Sequence, residues 1–223
     1  MEKINEEQQP GQTENVLSIR IIKTEADRLA AYRFRYSVYV EEMRRPQLWA
    51  DRELKTVIDP LDQTGQLLGA FKGNQMVGTG RVNFSKDSQF EYPELYDFEL
   101  FETYNPGRVS FVSKLMVSPE YRRGPLFIKL VKALYRSTLD GGAEVIIIDC
   151  NDHLVPVFER LGLHSYRGKV LHPEYGWVTP MAIYNRDEAN LRLNKSPFLQ
   201  VNIQYKLDNM IDIAVREPAQ EQI

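Results

Sequence analysis

The sequence predicts an α/β protein with a mixed central sheet flanked by helices. The clearest evidence is the segment VSFVSKLMVSPEYRRGPLFIKLVKALYR (109–136), where a short apolar run rich in β-branched residues precedes a basic turn. From Leu126 to Tyr135, apolar residues then recur at helical spacing. A second observation is Gly73-Asn74, a hairpin signal between two alternating segments. The third is the isoleucine-rich segment 144–149, which is typical of a strand buried on both faces.

Composition restricts the possible function classes. The chain has 223 residues, 43% of them hydrophobic, and a formal net charge of -3, whereas a nucleic-acid-binding domain is usually basic. The single cysteine, Cys150, excludes an internal disulfide and fits a reducing compartment. The longest apolar run, Val145–Ile148, is too short to span a bilayer. We therefore expect a cytoplasmic protein with no nucleic-acid partner and no stable membrane insertion.

The first half of the chain is predicted to surround one long loop. Residues 1–15 are polar and Gln/Glu-rich, which indicates a disordered lead-in. Thr24 is a suitable N-cap for a helix from Glu25 to about Glu42. Segment 47–64 has no clean period, and a loop of this length in a compact domain is usually functional. The remaining elements are a strand over 16–23, hairpin strands over 66–71 and 75–84, and an irregular excursion over 85–108 with a short helix near 94–102.

The second half is predicted to continue the sheet. The order is a strand over 109–117, its helix, a strand over 144–149, a short helix over 153–161, a strand over 178–184, a polar helix over 186–195 and one possible strand over Leu199–Tyr205. We expect one domain over residues 16–206 and a flexible tail over 207–223.

Two motifs resemble the GNAT superfamily of N-acyltransferases. LMVSPEYRRG (115–124) is similar to that family's strand and phosphate-binding loop, and NDHLVPVFERLGL (151–163) is similar to its following helix. The order of strand, basic turn and helix also presents backbone N–H groups to an anion, although any α/β protein can contain such a unit. The resemblance implies the GNAT fold. It assigns donor binding to Leu115, Met116, Val117, Arg122, Arg123 and Gly124, with oxyanion donors among the backbone amides of Leu115–Val117.

The phosphate-binding loop departs from the family pattern. Its glycine, Gly124, comes one position early, and Pro125 has no backbone N–H to donate. A poorer cradle for a diphosphate favours a donor with one phosphate, namely acyl-phosphopantetheine on an acyl carrier protein, over acyl-CoA. The cations Arg122, Arg123, Lys129, Lys132 and Arg136 are candidate contacts for an acidic carrier protein, or form a normally solvated helix face.

A narrower resemblance links the chain to acyl-homoserine-lactone synthases and N-acyl amino acid synthases. Four short patterns carry it in the right order: Arg35 to Tyr39, Asp59 with Asp62, Gly78 with Arg81, and Ser113-Lys114. Two positions differ, because the synthases' Trp falls on Arg45 and their Glu on Phe111. We therefore do not expect homoserine-lactone synthesis. Segment 153–198 resembles long-chain N-acyltransferases of the N-acyl amino acid synthase type more closely.

The resemblance makes five residues catalytic candidates: Asp59, Asp62, Arg81, Lys114 and His153. The two aspartates can bind an acceptor ammonium group or take its proton; the structural alternative is a proline turn with solvated carboxylates. Lys114 on a buried strand needs a partner, and we expect one of these aspartates. His153 can act as an acid or base, or can simply flank a helix cap.

Substrate contacts are expected from Arg35, Tyr39, Ser113 and Asn151. Arg35 and Arg81 can hold an acceptor carboxylate, or form an ion-pair network with the aspartates, and the two roles are compatible. Ser113 can relay a proton or simply pack. The aromatic excursion is either the cover of an acyl-chain tunnel or a packed flap. No metal is expected.

The sequence thus predicts an N-acyltransferase that moves a fatty acyl group from acyl carrier protein to an amine. The acceptor is an amino acid or a Lys/ornithine-type side chain of a peptide. The alternatives are a GNAT acetyltransferase that uses acyl- or acetyl-CoA, and a non-catalytic module that binds acyl carriers.

Overall fold

The computed structural model describes residues 16–216. The predicted lead-in, residues 1–15, lies outside these residues, as does the end of the predicted tail. Within the described range the chain forms ten strands, which we number in order. They are β1 (Leu17–Ile21), β2 (Ala50–Asp51), β3 (Thr56–Val57), β4 (Gln66–Lys72), β5 (Gln75–Phe84), β6 (Val109–Val117), β7 (Val145–Cys150), β8 (His164–Ser165), β9 (Val170–His172) and β10 (Gly176–Tyr184).

Six α-helices lie within the described range, and the first five fall in or near segments for which the sequence predicts a helix. They are α1 (Glu25–Tyr36), α2 (Phe98–Tyr104), α3 (Leu126–Asp140), α4 (Val155–Arg160), α5 (Glu188–Leu193) and α6 (Phe198–Arg216). Thr24 caps α1 as predicted, because the Asp27 backbone N–H donates to its hydroxyl at 3.1 Å. α1 continues as a π-helical segment, Ser37–Glu42, so the predicted end near Glu42 is confirmed. Among the described residues, no helix is both long and apolar enough to cross a membrane.

The main sheet is mixed, as predicted. Its strands follow the order β1-β4-β5-β6-β7-β10-β8, and β9 also pairs with β10. The β6–β7 pair is parallel, and the other adjacent pairs are antiparallel. The hairpin of β4 and β5 and the strand–helix–strand unit of β6, α3 and β7 are confirmed.

The core lies on both faces of this sheet. On one face, α3 and α6 pack against Ile146, Ile148 and Ile183. α3 lies so close to β5 that a Cβ at Gly80 would be 2.7 Å from Leu134, which explains the glycine there. On the other face, the aromatic excursion packs on Phe111, Ile147 and their neighbours, and α1 covers β4 and β5.

The sheet opens between β6 and β7. Their register pairs stop at Phe111 opposite Ile147, although both strands continue for several residues. Lys114 has a φ of 53° in the middle of β6, and the β5–β6 register shifts at the same place. A left-handed residue in a strand marks a bulge that bends the strand. The bulge therefore helps to separate the end of β6 from β7.

Three segments differ from the sequence prediction. The possible strand Leu199–Tyr205 is wrong, because these residues belong to α6, which continues past residue 206 to Arg216. The loop 47–64 contains the small hairpin of β2 and β3. The segment between α4 and β10, where the sequence predicts no strand before 178, contains β8 and β9, which are too short to produce a sequence period.

Candidate active site

Five charged side chains from distant parts of the chain form one buried network. Arg35 donates to both carboxylate oxygens of Asp62 at 2.8 and 2.9 Å, and Arg81 donates to Asp62 at 3.0 Å and to Asp59. Lys114 forms an ion pair with Asp59 at 3.0 Å, so its predicted partnership with one of the aspartates is confirmed. Arg35 and both aspartates are at most 2% exposed.

The spacing of the two aspartates follows from a single 3₁₀ turn, Pro60–Asp62. The Leu61 N–H donates to the Asp59 carboxylate at 3.0 Å, and the Asp59 N–H donates to the Asp62 carboxylate at 2.9 Å. This reciprocal capping satisfies the ends of the turn and aims both carboxylates at the arginines. Gly65 lets the chain pass beside Arg81, because a Cβ there would lie 2.6 Å from the arginine stem.

The network keeps the Asp59 carboxylate ionised. Burial acts to raise the pKa of Asp59, but the attraction of Arg81 and Lys114 outweighs it and holds the pKa at about 2. A carboxylate with such a low pKa is a weak base. The pair therefore orients Arg81 and Lys114, and its oxygens are already occupied by their cations.

Lys114 links the buried network to the opening between β6 and β7. Its ammonium group also donates to the Tyr175 hydroxyl at 2.6 Å. The rings of Tyr39 and Tyr175 lie 5.7 Å apart, and both are within 5.6 Å of the Lys114 nitrogen. Such rings attract a cation through their faces. Tyr39, Tyr175 and Asp59 thus hold Lys114 from three sides.

A cavity of about 540 Å³ occupies the gap between β6 and β7. Its size is in the range of small-molecule sites. The inner part is apolar and extends toward α3 and α6, with walls that include Leu115, Val131, Leu134, Ile148, Leu163 and Phe198. The other part is polar, with walls that include Arg81, Glu91, Lys114, Asp149, His172 and Tyr175.

Backbone groups of β6 face this gap. Leu115, Met116 and Val117, whose backbone amides the resemblance proposes as oxyanion donors, all line the cavity. In a strand, successive N–H groups point to opposite edges, and one edge of β6 is paired with β5. Beyond the bulge, the Ser118 N–H donates to the Val77 carbonyl of β5. By the same alternation, the N–H groups of Leu115 and Val117 point away from β5, toward the gap that β7 leaves.

Two carboxyl groups in the polar part differ from those of the network. Asp149, near the end of β7, accepts a hydrogen bond from the Tyr96 hydroxyl at 3.1 Å. Burial raises the pKa of Asp149, and burial followed by the nearby Asp59 raises that of Glu91. Both carboxyls are therefore stronger bases than Asp59.

His172 and Cys150 are held in neutral forms. The His172 Nδ1 accepts from the backbone N–H groups of Glu174 and Tyr175 at 3.1 and 3.3 Å. Burial, with a contribution from Lys114, lowers the pKa of His172 to about 4. Burial raises the pKa of the Cys150 thiol to about 12, which opposes thiolate formation.

The remaining predicted substrate contacts lie at the cavity wall or beside it. The Arg81 Nε donates to the Ser113 hydroxyl at 3.2 Å. Asn151 accepts from Arg45 at 2.9 Å and donates to the Tyr175 carbonyl at 3.4 Å, which fixes the loop before β10. His153 is exposed at the cavity edge. Arg35 lies behind Asp62 and contacts the site through that carboxylate.

The predicted donor loop lies at the start of α3. Arg122 lines the cavity, donates to the Val117 carbonyl at 3.0 Å and forms a two-bond ion pair with Glu42 at 2.5 and 2.7 Å. Arg123 and Gly124 are exposed and outside the cavity walls. Farther along α3, Arg136 is paired with Asp140 and Asp208, so it is not a free cation for a carrier protein.

The aromatic excursion is mainly a packed flap. Tyr96, Phe98 and Phe101 are buried against the sheet, and Phe90 stacks on Phe98 with ring centroids 4.2 Å apart. Only its Glu91 and Tyr96 are among the cavity walls. The apolar part of the cavity is instead formed by the face that packs on α3 and α6.

Sequence reasoning missed Glu91, Tyr96, Asp149, His172 and Tyr175 as site residues. Asp149 carried a signal, because a carboxylate at the end of the run VIIID interrupts an otherwise apolar strand. The others lie in segments without a period, where nothing local indicates which way a side chain points.

This fold and site define an N-acyltransferase of the GNAT type. The parallel strands separate around an acyl-sized cavity, backbone N–H groups face the gap, and charged groups gather at one end. A sequence profile of the FeeM N-acyl amino acid synthases matches residues 30–183. The chain belongs to this family.

Solved structures share the fold at low sequence identity. FeeM, an N-acyl amino acid synthase from uncultured soil microbes, superposes with a TM-score of 0.64 at 15% identity, covering 83% of this chain and 97% of that one. BjaI, a CoA-dependent acyl-homoserine lactone synthase solved with SAM and isopentyl-CoA, superposes with a TM-score of 0.64 at 17% identity. The match covers 86% of this chain and 100% of that one. The acyl-homoserine lactone synthase LasI superposes with a TM-score of 0.57 at 12% identity, and the match covers 76% of this chain and 90% of that one. No curated protein matches the sequence significantly.

Proposed function

We propose that this N-acyltransferase moves a long fatty acyl group from acyl carrier protein to an amine. The acceptor is an amino acid or a Lys/ornithine-type side chain of a peptide. The observation that carries the proposal is the two-part cavity between β6 and β7. Its apolar part suits a hydrocarbon chain, and its charged part suits an amine acceptor.

The size of the cavity favours a fatty acyl group over acetyl. A volume of about 540 Å³ far exceeds the space that a two-carbon group fills. Its inner walls, such as Leu134, Ile148 and Phe198, come from the hydrophobic core and offer no polar partner. A long chain would cover these side chains, whereas an acetyl group would leave most of them in contact with water or empty space.

The donor loop favours a carrier with a single phosphate. The N–H groups of Tyr121, Arg122 and Gly124 donate to carbonyls of the same turn, and Pro125 has none. Fewer free amides therefore face an anion than in a loop built for a diphosphate. Phosphopantetheine on an acyl carrier protein meets this requirement, and the outward-facing Arg123 and Lys129 suit its acidic surface.

The chemistry is direct transfer. The acceptor nitrogen attacks the thioester carbonyl, and the negative charge that develops on oxygen is stabilised by the β6 N–H groups around Leu115–Val117. The charged network keeps Lys114 and Arg81 at the polar end, where they orient the acceptor. Asp59 and Asp62 contribute by holding these two cations in place.

The test is product formation by the purified full chain. Palmitoyl-acyl carrier protein, palmitoyl-CoA and acetyl-CoA are each incubated with all twenty amino acids, ornithine and a Lys-containing peptide, and products are identified by mass spectrometry. We expect an N-palmitoyl amide from the carrier-protein donor, at a higher kcat/KM than from palmitoyl-CoA. Faster turnover of acetyl-CoA would support the acetyltransferase alternative. Binding of the acyl carrier without any product would support the non-catalytic one.

Lys114→Met serves as the matched site variant. It retains the length of the apolar stem and removes the cation that contacts Asp59 and Tyr175. Lys129→Met, on the exposed face of α3, makes the same chemical change outside the cavity. We expect Lys114→Met to lower the kcat for amide formation, and Lys129→Met to affect at most the KM for the carrier protein.

A further inference from the structure

The site contains carboxyl groups that differ in their freedom to accept a proton. Amide formation requires removal of a proton from the attacking nitrogen. Asp59 and Asp62 are at most 2% exposed and contact Arg35, Arg81 or Lys114 directly. Protonating either aspartate would leave these buried cations without a counter-charge, which is costly. The network is therefore unsuited to exchanging protons in every turnover.

Asp149 occupies a different position. The last β6–β7 register pair is Phe111 with Ile147, and Asp149 lies two residues further along β7 on the same face as Ile147. It therefore lies in the part of β7 where the two strands have begun to separate, and it lines the cavity between them. The residue is half-buried, and it is among the polar walls of the cavity.

A hydrogen bond holds Asp149 in this position. The Tyr96 hydroxyl donates to one carboxylate oxygen at 3.1 Å, and Tyr96 is itself held through its carbonyl, which accepts from the Tyr166 hydroxyl at 2.8 Å. Within the described part of the chain, no lysine or arginine forms a salt bridge with Asp149. One carboxylate oxygen is thus oriented by Tyr96, and the carboxyl group lines the cavity without a salt bridge to a cationic side chain of the described residues.

We propose that Asp149 is the catalytic residue that takes the proton from the acceptor nitrogen and passes it to the leaving thiolate. This inference rests on the proposed N-acyl transfer. The neutral amine attacks the thioester carbon, a C–N bond forms, and the nitrogen becomes positively charged. Asp149 removes one proton from that nitrogen. The C–S bond then breaks with its electron pair on sulfur, Asp149 protonates the thiolate, and its carboxylate is regenerated.

The electrostatic surroundings agree with this role. Burial raises the pKa of Asp149 from its ordinary value, while the hydrogen bond from Tyr96 and the more distant Lys114 and Arg45 act to lower it. A base with a raised pKa drives proton transfer more strongly than Asp59, whose pKa is about 2. The titratable groups around Asp149 are Tyr96, Tyr166, Tyr175, Lys114, Arg45 and Cys150.

Two other groups in the polar part are less suitable. Glu91 lies in the loop between β5 and α2, outside any helix or strand that would fix its distance from the gap. The Nδ1 of His172 already accepts two backbone hydrogen bonds, and its low pKa, about 4, makes it a weak base. Asp149 is the carboxyl that a strand places at the opening itself.

The test compares three variants of the full chain with the wild type. Asp149→Asn removes the base and preserves shape. Asp152→Asn is the matched control, since Asp152 is an exposed carboxylate three residues away, paired with Lys169 at 2.5 Å. Tyr96→Phe removes only the hydroxyl group. For each protein, kcat and KM are measured from pH 5.5 to 9 with palmitoyl-acyl carrier protein and the amino acid mixture as probes. The carboxyl carbons of aspartate are titrated in parallel by ¹³C NMR.

We expect Asp149→Asn to lower kcat by about 10²-fold or more with little change in the donor KM, and to abolish the acidic limb of the pH profile. Asp152→Asn should resemble the wild type. Tyr96→Phe should shift the acidic limb to higher pH, because the lost hydrogen bond had stabilised the carboxylate. An Asp149→Asn protein within threefold of wild-type kcat, or an unchanged limb in Tyr96→Phe, would overturn the inference.

The NMR titration separates this inference from the proposed function. If the wild type forms no amide with any probe, the proposed function fails. The titration still reports on Asp149, whose signal is the one missing in Asp149→Asn. We expect it to titrate above the ordinary aspartate value of about 3.9 and to move higher in Tyr96→Phe. Titration at or below that value would show that Asp149 is not the available base.

Discussion

Replacement of Asp62 by asparagine tests how much the buried network stabilises the fold. Asp62 accepts hydrogen bonds from Arg35, Arg81 and the Asp59 N–H, and both Asp62 and Arg35 are almost completely inaccessible to water. Asparagine keeps the shape but removes the negative charge, so Arg35 loses its counter-charge. Removing one partner of a buried ion pair typically costs about 3–5 kcal/mol. We expect a loss of this size in the free energy of unfolding.

The assay is urea unfolding at pH 7, followed by both circular dichroism and tryptophan fluorescence. Glu41→Gln is the control, because it makes the same carboxylate-to-amide change in a surface pair. Glu41 contacts Lys55 at 3.1 Å, and their side chains are 48% and 66% exposed. Such pairs contribute about 0.2–1 kcal/mol. The m-value should be the same in all three proteins, so that only the midpoint moves.

Comparison of the two variants shows whether the network stabilises the fold. If Asp62→Asn lowers the free energy of unfolding no more than Glu41→Gln does, the network does not stabilise the folded state. A loss of unfolding free energy of the expected size in Asp62→Asn, with an unchanged m-value, supports a stabilising role. The network would then be a stabilising scaffold that also positions Lys114.

Three further predictions follow from the cavity and its neutral groups. Because burial holds the pKa of His172 at about 4, the unfolded chain binds more protons below pH 6.5, and stability should fall by about 2 kcal/mol between pH 7 and pH 5. Urea titrations at both pH values should show a smaller fall in His172→Gln; an equal fall would assign the effect to other groups. Cys150, with its pKa raised to about 12, should resist iodoacetamide at pH 8 until urea unfolds the chain, and rapid labelling of the native protein would contradict its burial. Ile148→Phe should narrow the apolar part and lower the palmitoyl-to-octanoyl ratio of kcat/KM by about tenfold, whereas an unchanged ratio would place the chain elsewhere.

The sequence predicts the central elements well because their signals are local. The apolar runs of β6 and β7, the helical spacing of α3 and the Gly73-Asn74 turn each lie within a few consecutive residues. The Asp59 and Asp62 pair is also a local pattern, since one 3₁₀ turn sets its spacing.

The wrong strand at Leu199–Tyr205 shows where local patterns fail. Leu199, Val201, Ile203 and Tyr205 alternate with polar residues and so fit a strand. Phe198, Val201, Asn202 and Tyr205 fit a helix equally well, and these are the positions that pack on the core or bond to it. α3 decides between the two, because it offers Tyr135 as a stacking partner for Phe198, with ring centroids 4.2 Å apart.

The sequence by itself therefore determined the order of the longer elements from β1 to α5, without the short strands β2, β3, β8 and β9. It also determined the charged pairs that adjoin one another in a turn or a strand. Only the tertiary structure decided that β6 and β7 separate after Phe111. That separation depends on a bulge at Lys114 and on packing from both faces of the sheet. The tertiary structure also decided that Asp149 and Tyr96, 53 residues apart, share a hydrogen bond at the opening. A contact between residues so far apart in the chain depends on how whole elements pack, and no local sequence pattern predicts it.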